Sequence, residues 1–599
     1  MDSSEYWADL VRHSLLVAEN LDADVGTEET FDEAVLRAPR RGTARDTLAR
    51  ETAARVYPDY PPDSLAPIIQ YEKDIVRLRL LVDQQRKDAV AKAAEYNEKR
   101  NWTKRILKQN GPWNEVTDPL PLTGAPAIPM PVEVSDPESL APFFAHLRNN
   151  GTHQVLDTSA DRTGESGAEP YYNVEYIEFE KGVLYSDGRV DLCKMVTGPR
   201  NIGDLMESLK SNEHSKHFLL GNNIVGPIGV EAIASFIEDF PNRMETWYLA
   251  GNCIDATGFA RLVDAMVKSS VITNIWLKRN PLGASSAKDV FRLITQSPCL
   301  RTLDLDQTEL GDSGVAELFS LLANHNQPLP LRHVYLNATG ISARACEQIS
   351  RYLARPSCTI VSLFMANNPI GSAVSLLAPG LASCRTMSRL SLQSCGLSDG
   401  PVATLIPSLS VHSSIKALDF GQSFATEDLG MRYNWLTKAA PFRDLILSSQ
   451  SLRHLNVSQS LMPQDSVNDL LLAASSSPSL LSLDRYARPL IRGEHDRASV
   501  RAGQEGARLT KLVRERLHAN VADLYGVGYE EFEAEHKRFL MSPRDVRFID
   551  SVYRNREAGL AKRGVTTLKK VWAEGDETLR MVVTGEGDRA KVTATAAVA

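Results

Sequence analysis

The stretch that decides the fold begins at FLLGNNIV (218–225) and recurs as WYLAGNCI (247–254), IWLKRNPL (275–282) and LDLDQTEL (303–310). In each copy one residue separates two apolar residues, and a small polar residue stands three positions after the second. The phrase continues in VYLNATGI (334–341), LFMANNPI (363–370) and LSLQSCGL (390–397), then weakens in LDFGQSF and LNVSQSL. Seven copies in phase identify an internal repeat array.

The repeat unit predicts a short strand followed by a helix. Alternating apolar residues indicate a strand with one buried face. The second half of each unit, as in VEAIASFIEDF and FARLVDAMVKS, has apolar residues at helical spacing. One such unit cannot bury its apolar face alone, so neighbouring units must stack.

The small polar position is predicted to be structural, because its side chain can satisfy backbone groups in the turn that follows the strand. It is occupied by Asn223, Asn252, Asn280, Thr308, Thr339, Asn368, Cys395, Ser423 and Ser460.

This pattern resembles the ribonuclease-inhibitor-like class of leucine-rich repeats over residues 218–484. The resemblance implies an α/β fold, a horseshoe solenoid with parallel strands on its concave face. Mainly helical N- and C-terminal regions are expected to flank it.

The middle residue of each strand should point onto the concave face, because side chains alternate along a strand. That column is rich in aromatic residues, and acidic and basic residues stand beside them. Exposed aromatic residues beside isolated charges are typical of protein-binding hot spots. The predicted partner-binding residues are Tyr248, Trp276, Lys278, Asp304, Asp306, Tyr335 and Phe364. The alternative is that a flanking segment of the same chain covers this stripe.

The flanking sequence differs in style from the repeats. Apolar residues at 71, 75, 78, 82, 89 and 96 are spaced as in a coiled coil, although the pattern favours a helix packed on its own domain, because the repeat is short and two core positions are polar. The alternation around Ser186-Asp187-Gly188 predicts a hairpin. The predicted regions are 1–111 (helical), 112–169 (proline-rich linker and flexible loop), 170–217 (N-terminal cap), 218–484 (repeats), 485–584 (helical) and 585–599 (disordered tail).

Charge and cysteine content indicate which binding partners and which cellular compartment to expect. The 599 residues carry a formal charge of −8, which argues against a dedicated nucleic-acid binder. Seven cysteines without a C-x-x-C spacing indicate reduced thiols. We find neither a secretory signal nor a membrane span, so a cytoplasmic protein is expected, with the nucleus as an alternative.

The sequence contains no recognisable catalytic or cofactor-binding motif. Phosphate-binding, dinucleotide-binding, zinc-protease and nucleophile-elbow motifs are all missing. We therefore predict no catalytic residue, no cofactor and no metal, and a scaffold whose concave face binds another protein. The alternative is a GTPase-activating protein that acts on a small GTPase in trans, since the Ran GTPase-activating protein is similar to this repeat class.

Overall fold

The computed structural model describes residues 44–61, 64–78, 111–127, 134–154, 165–169, 174–410, 412–423, 433–484 and 497–553, with a few single positions before 111. The chain divides into two compact units, residues 1–102 with 563–599, and residues 103–562. The second unit contains the repeats.

Fourteen strands form one sheet in sequence order. The first four pair antiparallel, and every pair from β4 to β14 is parallel. The strands are β1 Glu165–Glu169, β2 Val174–Glu178, β3 Val183–Tyr185, β4 Arg189–Asp191, β5 His217–Leu219, β6 Thr246–Tyr248, β7 Asn274–Trp276, β8 Thr302–Asp304, β9 His333–Tyr335, β10 Ser362–Phe364, β11 Arg389–Ser391, β12 Ala417–Asp419, β13 His454–Asn456 and β14 Ser482–Leu483.

A helix follows each parallel strand up to β13. The described part of the chain also has three short 3₁₀ helices, at Ala284–Ser286, Gly371–Leu377 and Arg544–Ile549. The α-helices are α1 Ala44–Val56, α2 Pro137–Arg148, α3 Gly198–Lys210, α4 Gly226–Asp239, α5 Ala256–Met266, α6 Ala287–Gln296, α7 Gly311–Asn324, α8 Ala343–Leu353, α9 Ala378–Ser383, α10 Asp399–Ser410, α11 Ala440–Ser448, α12 Gln464–Ser476, α13 Arg497–Tyr525, α14 Tyr529–Glu535 and α15 Arg538–Met541. The predicted α/β solenoid of parallel strands is confirmed.

A ladder of side-chain amides joins consecutive repeats. Asn280 is fully buried, and its Nδ2 donates to the carbonyls of Leu249 and Leu277 at 2.9 and 2.8 Å. Its Oδ1 accepts from the amides of Asn252 and Ile254 in the preceding repeat, at 3.0 and 3.1 Å. One side chain therefore satisfies four backbone groups that burial would otherwise leave unpaired.

The ladder residue of the β12 repeat is Asn434, not Ser423 as the sequence spacing suggests. Asn434 Nδ2 donates to the carbonyls of Leu392 and Phe420, both at 2.9 Å. Its Oδ1 accepts from the amides of Cys395 and Leu397. An insertion after Phe420 has moved the asparagine along the sequence while the buried position in space is kept.

Both ends of the repeat core are closed. At the N-terminal end, β3 and β4 form the hairpin expected around Ser186-Asp187-Gly188. Helix α2 adds Leu140, Phe143, Phe144 and Leu147 to the same core. The cap therefore begins near residue 137 and not at 170, because this helix lies within the segment assigned to linker. At the other end, Leu509, Val513 and Leu517 of α13 complete the core.

The proline-rich segment is not a free spacer. We call its described residues 109, 111–127 and 134–135 the strap. Gln109 Oε1 accepts from the Tyr433 amide at 2.8 Å, and the Ala125 amide donates to the Ala338 carbonyl at 3.0 Å. The Ser135 amide donates to the Val196 carbonyl at 2.8 Å. The strap thus crosses the turns after the strands in reverse order, from the late repeats back to the cap.

Glycines in these turns let the strap approach closely. A Cβ on Gly340, whose φ is +87°, would lie 2.5 Å from the Gly124 nitrogen and 2.7 Å from the Leu122 oxygen. Gly396 is covered by the Trp113 ring in the same way, at 2.5 Å. A side chain at either glycine would therefore displace the strap from these turns.

The first unit has a small core of its own. Tyr71, Ile75 and Leu78 pack with Ala53 and Val56 of α1. A helix packed on its own domain therefore describes this part of the run. The coiled coil stays a prediction, because Val82, Ala89 and Tyr96 lie outside the described residues, as does the tail 585–599. Within the described ranges, none of the helices has the length and apolar character needed to cross a bilayer.

We expect Asn280→Ala to lower the free energy of unfolding by roughly 2–4 kcal/mol, because it leaves four buried backbone groups without partners. Urea denaturation would measure this. Asn324→Ala, at an exposed position at the end of α7, is the control and should change stability by less than about 0.5 kcal/mol. Equal effects of the two substitutions would contradict the ladder's role.

Gly340→Ala should destabilise the protein more than Gly283→Ala. Both glycines have a positive φ, so each substitution costs about 1 kcal/mol of backbone strain, but a Cβ on Gly283 meets nothing within 4 Å. The difference in melting temperature between the two variants measures how much the docked strap contributes to stability. Faster amide exchange over residues 120–127 in Gly340→Ala alone would locate it, and identical exchange in the two variants would argue against strap docking.

Candidate functional site: the concave face

Strand register arranges the concave face in columns. The predicted middle column, which includes Tyr248, Trp276, Asp304, Tyr335 and Phe364, is aligned residue by residue from strand to strand. A second column lies two residues earlier, at the start of each strand. It is polar in ten of its eleven positions, which are Arg189, His217, Thr246, Asn274, Thr302, His333, Ser362, Arg389, Ala417, His454 and Ser482.

Residues 538–553, which we call the covering segment, lie across this strand-start column. The segment consists of α15 and the 3₁₀ helix Arg544–Ile549. Its contacts run from β11 at residues 539–540, through β8 at residue 545, to β4 at residue 550. It therefore crosses the strands in the order opposite to their sequence.

One carboxylate anchors the middle of the covering segment. The Arg301 guanidinium donates three hydrogen bonds of 2.7–3.0 Å to the Asp545 carboxylate, and Thr302 Oγ1 donates to the same carboxylate at 2.6 Å. Burial acts to raise the pKa of Asp545, but the bonds from Arg301 and Thr302 outweigh it and hold the pKa below its ordinary value. The pair is a charge-assisted, two-pronged contact of the strongest kind.

Two further arginines bind main-chain carbonyls of the covering segment. Arg389 Nε donates to the Leu540 carbonyl at 2.8 Å and its Nη2 to that of Phe539 at 3.0 Å. The buried Arg189 donates through Nη1 to the Asp550 carbonyl at 2.6 Å. The sheet therefore holds the segment at both ends by its backbone and in the middle by a side chain.

Apolar contacts fill the space between these anchors. Val546, Ile549 and Tyr553 form one cluster with the middle-column residues Tyr248 and Trp276. Trp276 is 3% exposed and Tyr248 7%. The covering segment packs on both residues, so the alternative of intramolecular cover applies to them. Phe364 is equally buried, at 7%, but it lines the cavity described next. Asp304 is also buried, and its Oδ1 accepts from the Asp306 amide.

The other four predicted residues line a cavity of about 440 Å³ beside the covering segment. Tyr335 and Phe364 stack in it with ring centroids 4.3 Å apart. Lys278 and Asp306 flank them, with Lys278 Nζ 3.7 Å from Asp306 Oδ2. Further lining residues include Asn337, Gln393, Asp419, Met541 and Ser542, so the covering segment contributes one wall.

Two buried carboxyl groups give the cavity a charge that depends on pH. Burial raises the pKa of Asp419 to about 7, although it accepts hydrogen bonds from the Gly421 amide and Gln393. Burial also raises the pKa of Asp306, and Lys278 opposes that shift. Asp419 is therefore poised to lose its proton near neutral pH, which makes the cavity more negative.

The sequence interpretation missed the strand-start column and the groups that bind it. The signal was present, since a strand position that is polar in ten of eleven repeats cannot be core. The covering segment itself has no comparable signal, because nothing local in residues 538–553 indicates which surface it will meet.

The described residues show no arrangement that would hold a metal ion, and their thiols differ in acidity, since a hydrogen bond from Cys358 lowers the pKa of Cys384 to about 5. No group of three or more His, Cys, Asp or Glu side chains among them is placed to hold a metal ion. All seven cysteines are free thiols, and burial raises the pKa of Cys346 and Cys395 well above the ordinary value. Such thiols are poor nucleophiles.

His217 of the strand-start column makes the covered face sensitive to acid. Its ring stacks on Phe548 at 4.2 Å, and Nδ1 lies 2.9 Å from Thr246 Oγ1. Burial lowers the pKa of His217 to about 4, and nearby cations act in the same direction, whereas Asp187 opposes them. The unfolded chain therefore takes up this proton first as the pH falls, and stability is lost between about pH 6.5 and 4.

The wild type is expected to lose unfolding free energy between pH 7 and pH 4 because His217 is buried in its neutral form. Over the same pH range, the His217→Gln variant should lose about 2–3 kcal/mol less. Urea denaturation at the two pH values measures this difference. His214→Gln, at an exposed position three residues earlier, should behave as wild type. A pH dependence unchanged by His217→Gln would show that this imidazole is not held neutral by burial.

Comparison with known proteins agrees with this architecture. The family model described as Leucine Rich repeat matches residues 296–319. The mouse NACHT, LRR and PYD domains-containing protein 5 is 23% identical over 324 residues, which cover 49% of this chain and 27% of that protein. The pig ribonuclease inhibitor is 22% identical over 267 residues, or 39% of this chain and 57% of that protein.

Among solved structures, the leucine-rich repeat-containing protein LegL7 from Legionella pneumophila has 16% identity and a TM-score of 0.32, covering 50% of this chain and 93% of that one. The chain thus spans less than two thirds of the length of these curated relatives. The repeat phrase, the parallel sheet, the asparagine ladder and the family-model match identify a leucine-rich-repeat array, which is similar in sequence to the ribonuclease inhibitor and to the NACHT, LRR and PYD domains-containing proteins.

Proposed function

We propose that this chain is a non-enzymatic scaffold that binds another protein through the open part of its concave face. The observation that carries the proposal is the cavity lined by Lys278, Asp306, Tyr335 and Phe364. A stacked aromatic floor with charged and amide groups at its edge is typical of a hot-spot pocket that accepts a partner's side chain. The pig relative's name, ribonuclease inhibitor, describes a protein that acts by binding another protein.

The proposed contact differs from an open aromatic stripe along the whole face. Tyr248, Trp276 and Asp304 are covered, so a partner bound to the structure as it stands contacts the middle repeats near Lys278 and Phe364. We place this activity in the cytoplasm, in keeping with the free thiols. The GTPase-activating alternative remains a prediction, since the geometry of the described residues adds nothing that favours it.

The test is affinity capture with the tagged full-length chain, followed by a binding measurement with the purified partner. Lys278→Glu reverses a charge at the cavity, where the Lys278 side chain is 44% exposed. Lys288→Glu makes the same change on α6, where the side chain is 79% exposed. We expect Lys278→Glu to lower the affinity for the captured partner by about ten-fold or more. Lys288→Glu should leave this affinity unchanged.

Ala366→Phe offers a second variant that fills the cavity without changing its charge. Melting temperatures close to that of the wild type would show that each variant is folded. A partner retained equally by Lys278→Glu, Ala366→Phe and Lys288→Glu would overturn the cavity as the binding site.

A further inference from the structure

The covering segment is an addition to a repeat array that has its own core. The continuous apolar core between the strands and the helices contains no residue of 538–553. Val546, Ile549 and Tyr553 of the segment belong to a separate cluster on the other face of the sheet, and Leu540 packs with Leu481, Val521 and Phe532 in a small third cluster. The array is therefore expected to keep its fold when the segment leaves the concave face.

The fit between the segment and the sheet is incomplete. Trp276 Nε1 and Tyr335 Oη are both buried, and within the described part of the chain neither has a hydrogen-bond partner. A buried polar group without a partner is less stable than a paired one, because it has lost its hydrogen bonds to water without replacement. An occupant that offers an acceptor to the indole and a partner to the phenol would bind this face better than the segment does.

The contacts define what the face recognises. Arg301 and Thr302 donate hydrogen bonds to the carboxylate of Asp545. Three residues later, the Phe548 ring stacks on the His217 ring. Val546 and Ile549, each directly after one of these residues, enter the apolar cluster. Arg189 and Arg389 donate to main-chain carbonyls of the segment, so these contacts do not depend on the identity of the segment's side chains.

We propose that the strand-start column is a recognition site for a peptide of the pattern Asp-aliphatic-any-aromatic-aliphatic. In this proposal residues 545–549 are its intramolecular occupant, which a partner protein carrying the same pattern displaces. The inference rests on the proposed function, because it concerns the same concave face. Met541 and Ser542 form one wall of the cavity, so displacement of the segment also widens the cavity. The segment thereby regulates access to the proposed partner site.

The test uses the purified full-length chain and a fluorescent synthetic peptide of residues 538–553, with binding followed by anisotropy. In the wild type the tethered segment competes at a high effective concentration, so added peptide binds weakly. Asp545→Ala weakens the tethered segment and leaves Arg301 and Thr302 intact. We expect this variant to bind the peptide about ten-fold tighter than the wild type does, or more. Asp545→Asn, a milder change, should act in the same direction.

Three controls make the result specific. The double variant Asp545→Ala, Arg301→Ala should lose the gain, because it lacks the receptor group. A peptide with the Asp545→Ala change should not bind, and Asp523→Ala, at an exposed position on α13, should behave as wild type. Amide exchange should rise over 544–553 in Asp545→Ala without rising in the strands.

Peptide binding that is undetectable in Asp545→Ala, or unaffected by the added Arg301→Ala change, would overturn the proposal. So would light scattering that shows Asp545→Ala to be monomeric and wild type dimeric, because the occupant would then be a second copy of the chain. This experiment contains no cellular partner and leaves Lys278 unchanged. Its failure is therefore distinguishable from failure of the partner capture, which depends on the cavity.

Discussion

The structure depends on one recurring interaction, the buried amide that joins neighbouring turns wherever the ladder position is an asparagine. Because Asn280 and Asn368 each satisfy backbone groups in two adjacent repeats, they fix the height and the register of neighbouring strands. Register in turn places equivalent side chains above one another. The columns on the concave face are a consequence, and three arginines from repeats far apart can meet a single crossing segment only because the spacing is uniform.

The same constraint divides the concave face into two parts with different chemistry. The strand-start column is polar and holds the covering segment through Arg189, Thr302 and Arg389, with Arg301 beside Thr302. The middle column is aromatic, and only its part around Tyr335 and Phe364 lines the cavity. A protein that binds others through a repeat surface thus presents a smaller and more selective contact area than its number of repeats implies. Burial of a hydrophobic stripe by the chain's own segment also limits nonspecific association.

Sequence patterns predicted what local periodicity controls. The strands, the helices behind them, the hairpin before Asp191 and most ladder positions follow from apolar spacing alone. Asn434 was missed because an insertion breaks the spacing while the hydrogen bonds are kept. Strand alternation correctly places the Trp276 side chain on the concave face. Its burial there depends on contacts with residues about 270 positions later in the chain, which no local pattern encodes. The strap was read as linker because proline content reveals the backbone's conformation and not the glycine-lined surface that receives it.

The strap changes how the chain can fold as it leaves the ribosome. Repeat arrays ordinarily contact only their neighbours and can grow one unit at a time. Here residues 109–127 emerge before every turn that they contact, and the last of those turns lies near residue 433. The covering segment emerges after all of its strands. Early repeats can stack during synthesis, but the start of the strap meets its partner at Tyr433 only some 300 residues later, and closure of the concave face comes last.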